Sequence, residues 1–599
     1  MKRLLLPLFL LLVALSATAQ PAERFLLTGQ QPSGARVRIY KEGNARTAFF
    51  STIDGLAVVH ADDGAYYYAS LGAHGLEASS MLAHDPAQRS AEEALFAKDN
   101  ALTTPQAYAG ITAHRAPNRA AARTTSGLGE YGKPANGIVS SIGSITIPVI
   151  MVEFPDRAFM DTVDVEKVTR YLNEPGYHDE RYTDGSVRDY FLAQSDSLFQ
   201  PTFSVVARVT VSQNYAYYGR NNGSQRDTNV SVLLREAINA AVAQGADFTP
   251  CIVNGRVPLV SLFLAGPGEH NSFEDGYEDY IWAAYRSYSY TASNGVKFAS
   301  FFVGDEMRQT YQRVNEGTDE DPEYKYVVTG QMLDGMGVFC HEFSHALGLP
   351  DFYSTSTGNG VIDFWSLMDY GQYFRNGYRP VGYNAYERSF MGWLRVNDLG
   401  DEEQLVTIAP LGSQKGKDSQ CYRLVNPANE KEYYLLENRQ AGTWYPEQLG
   451  HGLLITHVDY LATAWSANTP NNASAHPRFQ VFPADGANQV YSNVRSYAPF
   501  ASDPFPGTGG VTEIASFPLY TGGTLERPFY DIAEEADGTV TFKYLSPTVG
   551  IANVQTTAAA HATEVYTLDG RPVAAGKRNL PAGIYIVKSG NTTKKLIIR

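Results

Sequence analysis

The hydrophobic pattern divides the chain into segments that favour different elements. Near its start, three short runs rich in aromatic and β-branched residues are separated by turn signals and predict strands at 36–40, 47–51 and 66–70. A helix-like stretch follows from about Pro86 to Lys98. From Ile111 to Gly137 the composition shifts to Ala, Arg, Thr, Gly and Pro, which predicts an exposed linker that buries no core.

The middle of the chain alternates between strand and helix patterns. Ile145–Phe154 is a continuous apolar run of the kind that a buried central strand needs. Apolar residues recur at helical spacing after Ser186 and across Val230–Ala243, and Val257–Leu264 is a further apolar strand. Strands that alternate with helices indicate an α/β or α+β unit.

Beyond about Asp401 the pattern becomes β-rich. Strands are predicted at Tyr433–Glu437 and Gly452–Val458, and residues 545–599 form a separate region with short strands near 564–568 and 583–587. At 599 residues the chain is too long for one hydrophobic core. The predicted fold is therefore multidomain α+β.

Composition fits folded domains and narrows the choice of partners. Hydrophobic residues make up 44% of the chain and aromatic residues 12%, as in globular proteins. The net charge is −15, which gives no electrostatic support for nucleic acid or an anionic membrane as partner. Three cysteines form no disulfide framework, although Cys251 and Cys421 could pair in an oxidising compartment. Cys340 is expected to be a small core residue.

The first residues predict export. A basic pair at 2–3 precedes the apolar stretch Leu4–Leu15, and an A-x-A site at 17–19 predicts cleavage before Gln20. The apolar stretch is shorter than a membrane-spanning helix and ends in small residues, so no transmembrane anchor is expected.

The strongest chemical signal is the HExxH motif at residues 341–345. On an α-helix, His341 and His345 lie one turn apart on the same face, so both imidazoles can bind one zinc ion. Glu342 lies beside them, where it can take a proton from a water molecule activated by the metal and pass it to the leaving amine. The surrounding apolar residues predict that this helix is packed into the core.

The residues after the motif extend it. Gly348 can end the helix in a left-handed turn, Pro350 helps to stop it, and Asp351 can then return toward the metal as a third ligand. The alternative for Asp351 is a helix-terminus residue that binds backbone. HExxH alone arises by chance in some chains of this length, so the extension carries much of the prediction.

A second segment, Asp363–Gly371, contains a Ser-x-Met turn. HExxHxxGxxD followed by this turn resembles the metzincin-like zinc peptidases, and most closely the M6 family of immune inhibitor A. Further stretches that look like family landmarks lie at 147–156, 185–191, 379–394 and 437–440. The resemblance covers roughly residues 140–530 and implies a metzincin-like mixed α/β catalytic domain with an active-site helix.

The resemblance also implies roles for single residues. Met368 would be the Met-turn residue, a hydrophobic floor beneath the metal. Tyr370 stands where related peptidases place a tyrosine that stabilises the oxyanion. Tyr353 is a competing candidate, and a plain packing role for either tyrosine is the alternative. Many metzincins have a third His where this chain has Asp351, and other zinc peptidases use a more distant Glu.

Other candidate ligands are weaker. His270, His451 and His457 are each read as hydrogen-bonded structural residues and are left out of the metal site. The acidic stretch Asp319–Glu323 could bind calcium, which family members often use, but it lacks the spacing of a ligand loop, and a solvated acidic loop is the alternative.

Resemblance also suggests how the ends of the chain work. The region before the linker looks like the propeptide of this family, with candidate processing sites near Arg115, Arg119 and Arg123. The last residues resemble a type A sorting domain of the type IX secretion system; a small β accessory domain is the alternative. The predicted divisions are a signal peptide (1–19), a β-rich propeptide (20–113), an exposed linker (114–137), the catalytic domain (138–400), a β-rich domain (401–544) and the sorting domain (545–599).

The prediction for the whole chain is a secreted zinc-dependent endopeptidase. It would act on proteins or peptides, use one catalytic zinc, leave the cell through the periplasm and the type IX machinery, and be released or held at the outer-membrane surface. One alternative is a catalytically silent cell-surface binding protein that keeps the fold. A zinc hydrolase with a non-peptide substrate is another.

Overall fold

The computed structural model describes residues 16–19, 21–22, 26–44, 47–61, 63–72, 75–113, 126–178, 183–222, 226–274, 276–315, 324–488, 490, 496–548, 564–573, 581–589 and 592–598. The fold is mixed α/β, with many sheets and few helices. It divides into two compact units, residues 1–547 and 548–599. The predicted processing sites at 115–123 and the acidic stretch 319–323 lie outside the described residues.

The first unit is built mainly of strands. In chain order they are β1 (Ser16–Ala19), β2 (Leu26–Gln30), β3 (Arg36–Glu42), β4 (Phe49–Thr52), β5 (Ala57–His60), β6 (Tyr66–Gly72), β7 (Gly75–Leu82), β8 (Gly143–Glu153), β9 (Phe199–Thr210), β10 (Val260–Pro267), β11 (Ala284–Thr291), β12 (Lys297–Asn315), β13 (Tyr324–Leu333), β14 (Asn397–Asp398), β15 (Gln404–Ile408), β16 (Cys421–Val425), β17 (Glu432–Arg439), β18 (Gly452–Asp459), β19 (Phe479–Val481), β20 (Phe517–Pro518), β21 (Thr524–Leu525), β22 (Phe529–Glu534) and β23 (Val540–Tyr544).

Helices connect and cover these strands. The α-helices are α1 (Ala91–Asp99), α2 (Thr104–Ala113), α3 (Val165–Asn173), α4 (Val187–Gln194), α5 (Tyr215–Gly219), α6 (Val230–Ala243), α7 (Gly337–Leu347), α8 (Ala385–Phe390) and α9 (Ala462–Ser466). Short 3-10 helices lie at Pro86–Gln88, Thr249–Cys251, Glu269–Asn271, Tyr277–Asp279, Asp363–Trp365, Tyr370–Gly377, Lys417–Ser419, Glu447–Leu449 and Ala498–Ser502.

The sheet that carries the candidate site has the order β1-β11-β12-β10-β8-β9, with β13 paired to β12. Its middle strands β8, β10 and β12 run parallel, and β11 runs antiparallel to β12. Every residue of β10 is buried, as its continuous apolar run predicts. Helix α6 has the predicted bounds and buries its apolar face against this sheet. Ser186 and Asp189 form a capping box that starts α4.

The region predicted as a propeptide forms its own sheet. Strands β2 to β7 follow one another as an antiparallel meander, which agrees with the strand signals in the sequence. Helix α1 packs beside it and starts at Ser90, whose side chain accepts a hydrogen bond from Glu93 N. The predicted helix from about Pro86 is a 3-10 turn followed by α1.

Residues 126–137 differ from the expected exposed linker. Leu128 and Ala135 are buried, and just beyond this segment Val139 N donates a hydrogen bond to the carbonyl of Ala346 in α7. A Cβ on Gly137 would lie 2.3 Å from the Leu347 carbonyl carbon, so glycine allows this segment to press against the end of that helix. Composition indicated a coreless segment, but small residues can also pack tightly against another element.

The β-rich region after residue 401 contains a five-stranded sheet of order β14-β16-β17-β18-β19 and a three-stranded sheet of order β15-β23-β22. Strands β17 and β18 are almost completely buried. All three cysteines are free and buried, so Cys251 and Cys421 are not paired. Among the described residues, no helix is long and apolar enough to cross a membrane.

The second unit contains one antiparallel sheet of order β25-β24-β26-β27. Its strands are β24 (Glu564–Thr567), β25 (Pro572–Val573), β26 (Gly583–Ser589) and β27 (Thr592–Ile598). Of these, β24 and β26 lie where the sequence predicts short strands.

Candidate metal centre

Helix α7 holds the HExxH motif in the core. All eleven of its residues are buried. The helix ends at Gly348, which has φ 113° and donates its N–H to the carbonyls of Ser344 and His345. A residue with a Cβ is strained at this φ, so glycine is the residue that lets the chain turn sharply here. The predicted left-handed turn is confirmed.

The turn brings three candidate ligands together. His341 Nε2 lies 3.0 Å and His345 Nε2 lies 3.3 Å from Asp351 Oδ1, and the side chains of all three residues are almost completely buried. Their ligand atoms all lie within 4.8 Å of one another. Two imidazole nitrogens and one carboxylate oxygen are the donor types that zinc takes in proteins, with a position left for water or substrate.

Backbone carbonyls orient both imidazoles. His341 Nδ1 lies 3.0 Å from the carbonyl oxygen of Leu367, and His345 Nδ1 lies 2.8 Å from that of Leu349. Because a carbonyl can only accept, these contacts favour a proton on Nδ1 and leave the Nε2 lone pairs facing Asp351. His345 Nε2 is buried and makes no hydrogen bond. The Nε2 atom of each ring and one oxygen of Asp351 meet at one point, where all three can bind the same cation, so the site fits a bound metal ion.

Asp351 is held from a distant part of the chain. Asn468 Nδ2 donates to Asp351 Oδ2 at 2.6 Å, and Asp351 N donates to Asn468 Oδ1 at 2.7 Å. Burial on its own would raise the pKa of Asp351, but the neighbouring imidazoles of His345 and His341 outweigh it and hold the pKa well below its usual value. Asp351 is therefore a carboxylate, the form that binds metal.

Glu342 is buried in the same helix. Its Oε2 accepts a hydrogen bond of 2.5 Å from the backbone N–H of Tyr285 in β11. This contact ties the carboxylate to β11, which lies between β12 and the edge strand β1. The Glu342 side chain thus connects α7, which carries two of the candidate ligands, to β11, with which β1 pairs.

Met368 lies in a segment that contacts both His341 and the turn after α7. Its side chain is fully buried in the main core, and its carbonyl accepts a hydrogen bond from Phe352 N, next to Asp351. Met368 N donates to Glu387 Oε1, which also accepts from Ser366 Oγ. Because the preceding residue contacts His341, this segment fixes both a candidate ligand and the turn after the helix.

The two candidate tyrosines have different surroundings. Tyr370 is partly buried and donates its hydroxyl to the carbonyl of Gly358 at 2.9 Å. Tyr353 is fully buried, and its hydroxyl accepts from Asn44 Nδ2 at 3.0 Å. Burial raises the pKa of Tyr353 well above its usual value, and the charges of Asp351 and Glu342 are among the groups that raise it further.

Residues of the predicted propeptide contact the site. Besides Asn44, Thr47 Oγ1 donates to the Thr355 carbonyl at 3.4 Å, and the Pro21 carbonyl accepts from Tyr373 at 2.9 Å. Strand β1 pairs antiparallel with β11, with Ser16 opposite Ser287 and Ala19 opposite Ala284. The N-terminal part of the chain therefore contacts residues that follow Asp351 in sequence, and pairs with the strand that contacts Glu342.

The other histidines lie apart from this cluster. His451 contacts Glu534 at 2.7 Å, and His457 contacts Glu432 at 3.1 Å while it stacks on Tyr434. Both have the structural partners expected of them. His270 lies in a separate group with Asp305 and Asp334.

Several supporting residues were not predicted from the sequence. They are Asn468, the backbone of Tyr285 and the carbonyls of Leu349 and Leu367. Asn468 is 117 positions from Asp351, and its neighbours carry no motif. The backbone groups carry no sequence signal of their own, because every residue has them.

A comparison with known proteins matches the segment that contains the candidate site. Residues 143–394 match the family described as immune inhibitor A peptidase M6, catalytic domain. The resemblance to that family is confirmed for this segment, which contains His341, Glu342, His345 and Asp351. Asn468 lies outside it.

The similar curated proteins include a metalloprotease and immune inhibitor A. The chain is 25% identical over 298 residues to the pre-pro-metalloprotease PrtV of two Vibrio cholerae O1 strains, a match that covers 43% of this chain and 32% of PrtV. It is 24% identical over 280 residues to immune inhibitor A of Bacillus thuringiensis subsp. alesti, covering 40% of this chain and 39% of that protein. The chain thus spans about a third of the length of these relatives. The matches support a metallopeptidase.

Proposed function

We propose that this chain is a secreted zinc-dependent endopeptidase. The observation that carries the proposal is the buried group of His341, His345 and Asp351, whose Nε2 atoms face one carboxylate oxygen within a segment that matches a metallopeptidase family. We also propose that the catalytic domain has a metzincin-like architecture and that Met368 is its Met-turn residue. Met368 would act as an apolar floor, in keeping with its complete burial.

Zinc held by these three residues would supply Lewis-acid chemistry, which polarises a peptide carbonyl and makes water easier to deprotonate. Glu342 would take the proton from the attacking water and deliver it to the leaving amine nitrogen. Its hydrogen bond to Tyr285 N leaves one oxygen engaged and orients the other. The Tyr370 hydroxyl would exchange its hydrogen bond to the Gly358 carbonyl for one to the oxyanion.

Strand β11 is the proposed binding edge for peptide substrates. An extended peptide can add to an exposed strand through backbone hydrogen bonds. In this structure β1 occupies that position as an antiparallel partner, next to the strand residue that contacts Glu342. Signal cleavage after Ala19 would remove β1 and make this edge available.

The region 20–113 is proposed to keep the enzyme latent. Its Asn44 and Thr47 contact Tyr353 and Thr355, close to the candidate ligand Asp351. A trypsin-like protease is expected to cut near Arg115–Arg123 and to raise proteolytic activity. Full activity of the uncut protein would show that the region is not inhibitory.

The C-terminal unit is proposed as a type IX sorting domain, which would send the protein across the outer membrane for release or surface attachment. Its small antiparallel sheet is compatible with such a domain. Deletion of residues 545–599 should leave the protein in the periplasm. Normal extracellular protein after this deletion would refute the sorting role.

One experiment tests the enzymatic proposal. Casein digestion by the processed protein is measured for the wild type, for Glu342→Ala and for Glu447→Gln, an exposed control. We expect the first variant to lose proteolysis while it retains zinc, the control to be unaffected, and a chelator to abolish activity. Undiminished activity of Glu342→Ala would overturn the proposed base. An inactive wild type with bound zinc would favour a silent binding protein or a hydrolase of non-peptide substrates.

A further inference from the structure

A second group of buried metal-binding side chains lies at one end of the central sheet. Sheet register brings it together: Asp305 in β12 pairs with Leu264 of β10, and Met307 pairs with Pro267 on one side and with Leu333 of β13 on the other. His270 follows β10 in a short 3-10 turn, and Asp334 follows β13 directly. The ends of two strands thus bring both residues to the two sides of Asp305.

The three side chains converge in the protein interior. One ligand atom from each of His270, Asp305 and Asp334 lies within 4.8 Å of the other two, and His270 Nε2 lies 3.9 Å from Asp305 Oδ1. His270 is fully buried, and less than a tenth of either aspartate is exposed. Gly268 leaves room for the group, because a Cβ there would lie 2.7 Å from His270 Nδ1 and 3.0 Å from Asp305 Oδ1.

Hydrogen bonds do not account for the polar atoms of His270 and Asp305. Neither ring nitrogen of His270 and neither carboxylate oxygen of Asp305 has a hydrogen-bond partner among the described residues, and the same holds for Oδ1 of the adjacent Asn271. Native proteins pair almost all such buried atoms, because leaving them unpaired forfeits the hydration they have in water. An unpaired imidazole nitrogen that lies 3.9 Å from an unpaired carboxylate oxygen therefore points to a partner between them.

A proton shared between the two carboxylates is the simplest alternative to a metal. Burial and the charge of Asp334 raise the pKa of Asp305 well above its usual value, which would suit such a proton. A shared proton would not, however, give His270 a partner. A metal ion, unlike that proton, accepts the lone pair of an imidazole nitrogen, so it would give His270 a partner as well.

We propose that His270, Asp305 and Asp334 bind a second divalent metal ion, and that this ion is zinc. One imidazole nitrogen and two carboxylates balance the charge of a divalent ion and are ligands that zinc accepts. Calcium prefers six to eight oxygen ligands, a requirement that an imidazole and two aspartates do not meet. The carbonyl oxygen of the Asn271 side chain is available as a fourth donor.

The position of this ion gives it a structural role. Asp334 lies three residues before the first residue of α7, and its Oδ1 accepts a hydrogen bond from Gly335 N at 2.8 Å. The neighbouring Glu269 contacts Arg226 and lies 3.6 Å from Lys41 of the predicted propeptide, with both charges of the latter pair buried. An ion at this point would fix the start of the active-site helix and the turn on which the propeptide rests.

Metal stoichiometry tests the proposal without any measurement of catalysis. The full chain is loaded with zinc chloride, dialysed, and analysed for zinc, calcium and protein. We expect two zinc ions per chain for the wild type and one for Asp305→Asn, with the exposed Asp247→Asn control retaining two. The double variant His341→Gln/Asp351→Asn, which disables the first cluster, should also retain one.

The double variant keeps the test decisive if Asp305→Asn fails to fold. One zinc in that variant, with a thermal unfolding temperature that rises on zinc addition, supports the second site. No zinc in it would overturn the proposal, whatever number of ions the wild type holds. Calcium in place of the second zinc would overturn it too. None of these results depends on whether the chain cleaves peptides, so failure here is distinguishable from failure of the proposed function.

Discussion

The cluster of His341, His345 and Asp351 takes its residues from one helix and the turn after it. In contrast, Asp305 lies in β12, His270 in a 3-10 turn after β10, and Asp334 directly after β13. Backbone carbonyls and Asn468 orient the first cluster. In the second, four buried atoms of His270 and Asp305 have no hydrogen-bond partner within the part of the chain that the structure describes. Protein contacts therefore orient the candidate ligands of the first cluster, in keeping with the catalytic role proposed for it. The second depends on an ion to satisfy its polar atoms, as a structural site does.

Removal of one carboxylate from each cluster should separate these roles most strongly. Asp351→Ala leaves two imidazoles without the third ligand, so we expect loss of the catalytic zinc and casein hydrolysis no higher than in chelator. Asp305→Ala should remove the other ion and mainly lower the thermal unfolding temperature. Zinc content, casein digestion and thermal melts of both variants give the comparison. Substantial activity in Asp351→Ala would mean that another residue completes the site.

The tyrosines at the first cluster provide the next largest effect. Tyr370→Phe removes the proposed oxyanion donor, and loss of one such donor lowers kcat by about 10²–10³-fold. KM should change little, because the donor acts on the transition state. Tyr353→Phe is the matched control, since its hydroxyl accepts from Asn44 in the propeptide. A larger loss of kcat in that control than in Tyr370→Phe would reverse the assignment.

Asn468 tests how far the first cluster depends on its support. Asn468→Ala removes both hydrogen bonds to Asp351 without touching a ligand. Changes in residues that orient metal ligands cost about 10–100-fold in metal affinity or activity. Zinc affinity is measured by competition with a chelator, and Asn488→Ala, an exposed asparagine, is the control. Equal affinities in the two variants would show that Asp351 needs no such support.

The smallest effect concerns pH. Burial raises the pKa of Glu387, beneath Met368, from 4.5 to about 7. The folded protein therefore holds this proton more tightly than the unfolded chain, and the stabilisation is lost as pH rises through about 7. Glu387→Gln should flatten the fall of the free energy of unfolding between about pH 4.5 and 7, by no more than about 3 kcal/mol. Urea unfolding across this range, with Glu447→Gln as control, checks it; parallel curves would contradict it.

Much of the architecture follows from local pattern. The bounds of α6, the buried strands β8 and β10, and the strand and turn signals of the N-terminal meander all agree with the hydrophobic periodicity. Residues 126–137 were predicted to be exposed, but Leu128 and Ala135 in this segment are buried. Composition indicates that a segment cannot form a core of its own; it does not indicate whether the segment packs against another element. Pairing of Cys251 with Cys421 was left open by spacing, and the structure leaves both free.

The sequence alone determined the chemistry of α7. The spacing of His341 and His345 sets both on one helical face, and Gly348 turns the chain so that Asp351 returns, since each effect depends on neighbouring residues only. Tertiary structure decided what lies around them. Asn468 reaches Asp351 from 117 positions away, β11 meets Glu342, and sheet register assembles His270, Asp305 and Asp334. These contacts depend on how strands pair and sheets pack, which no local pattern specifies.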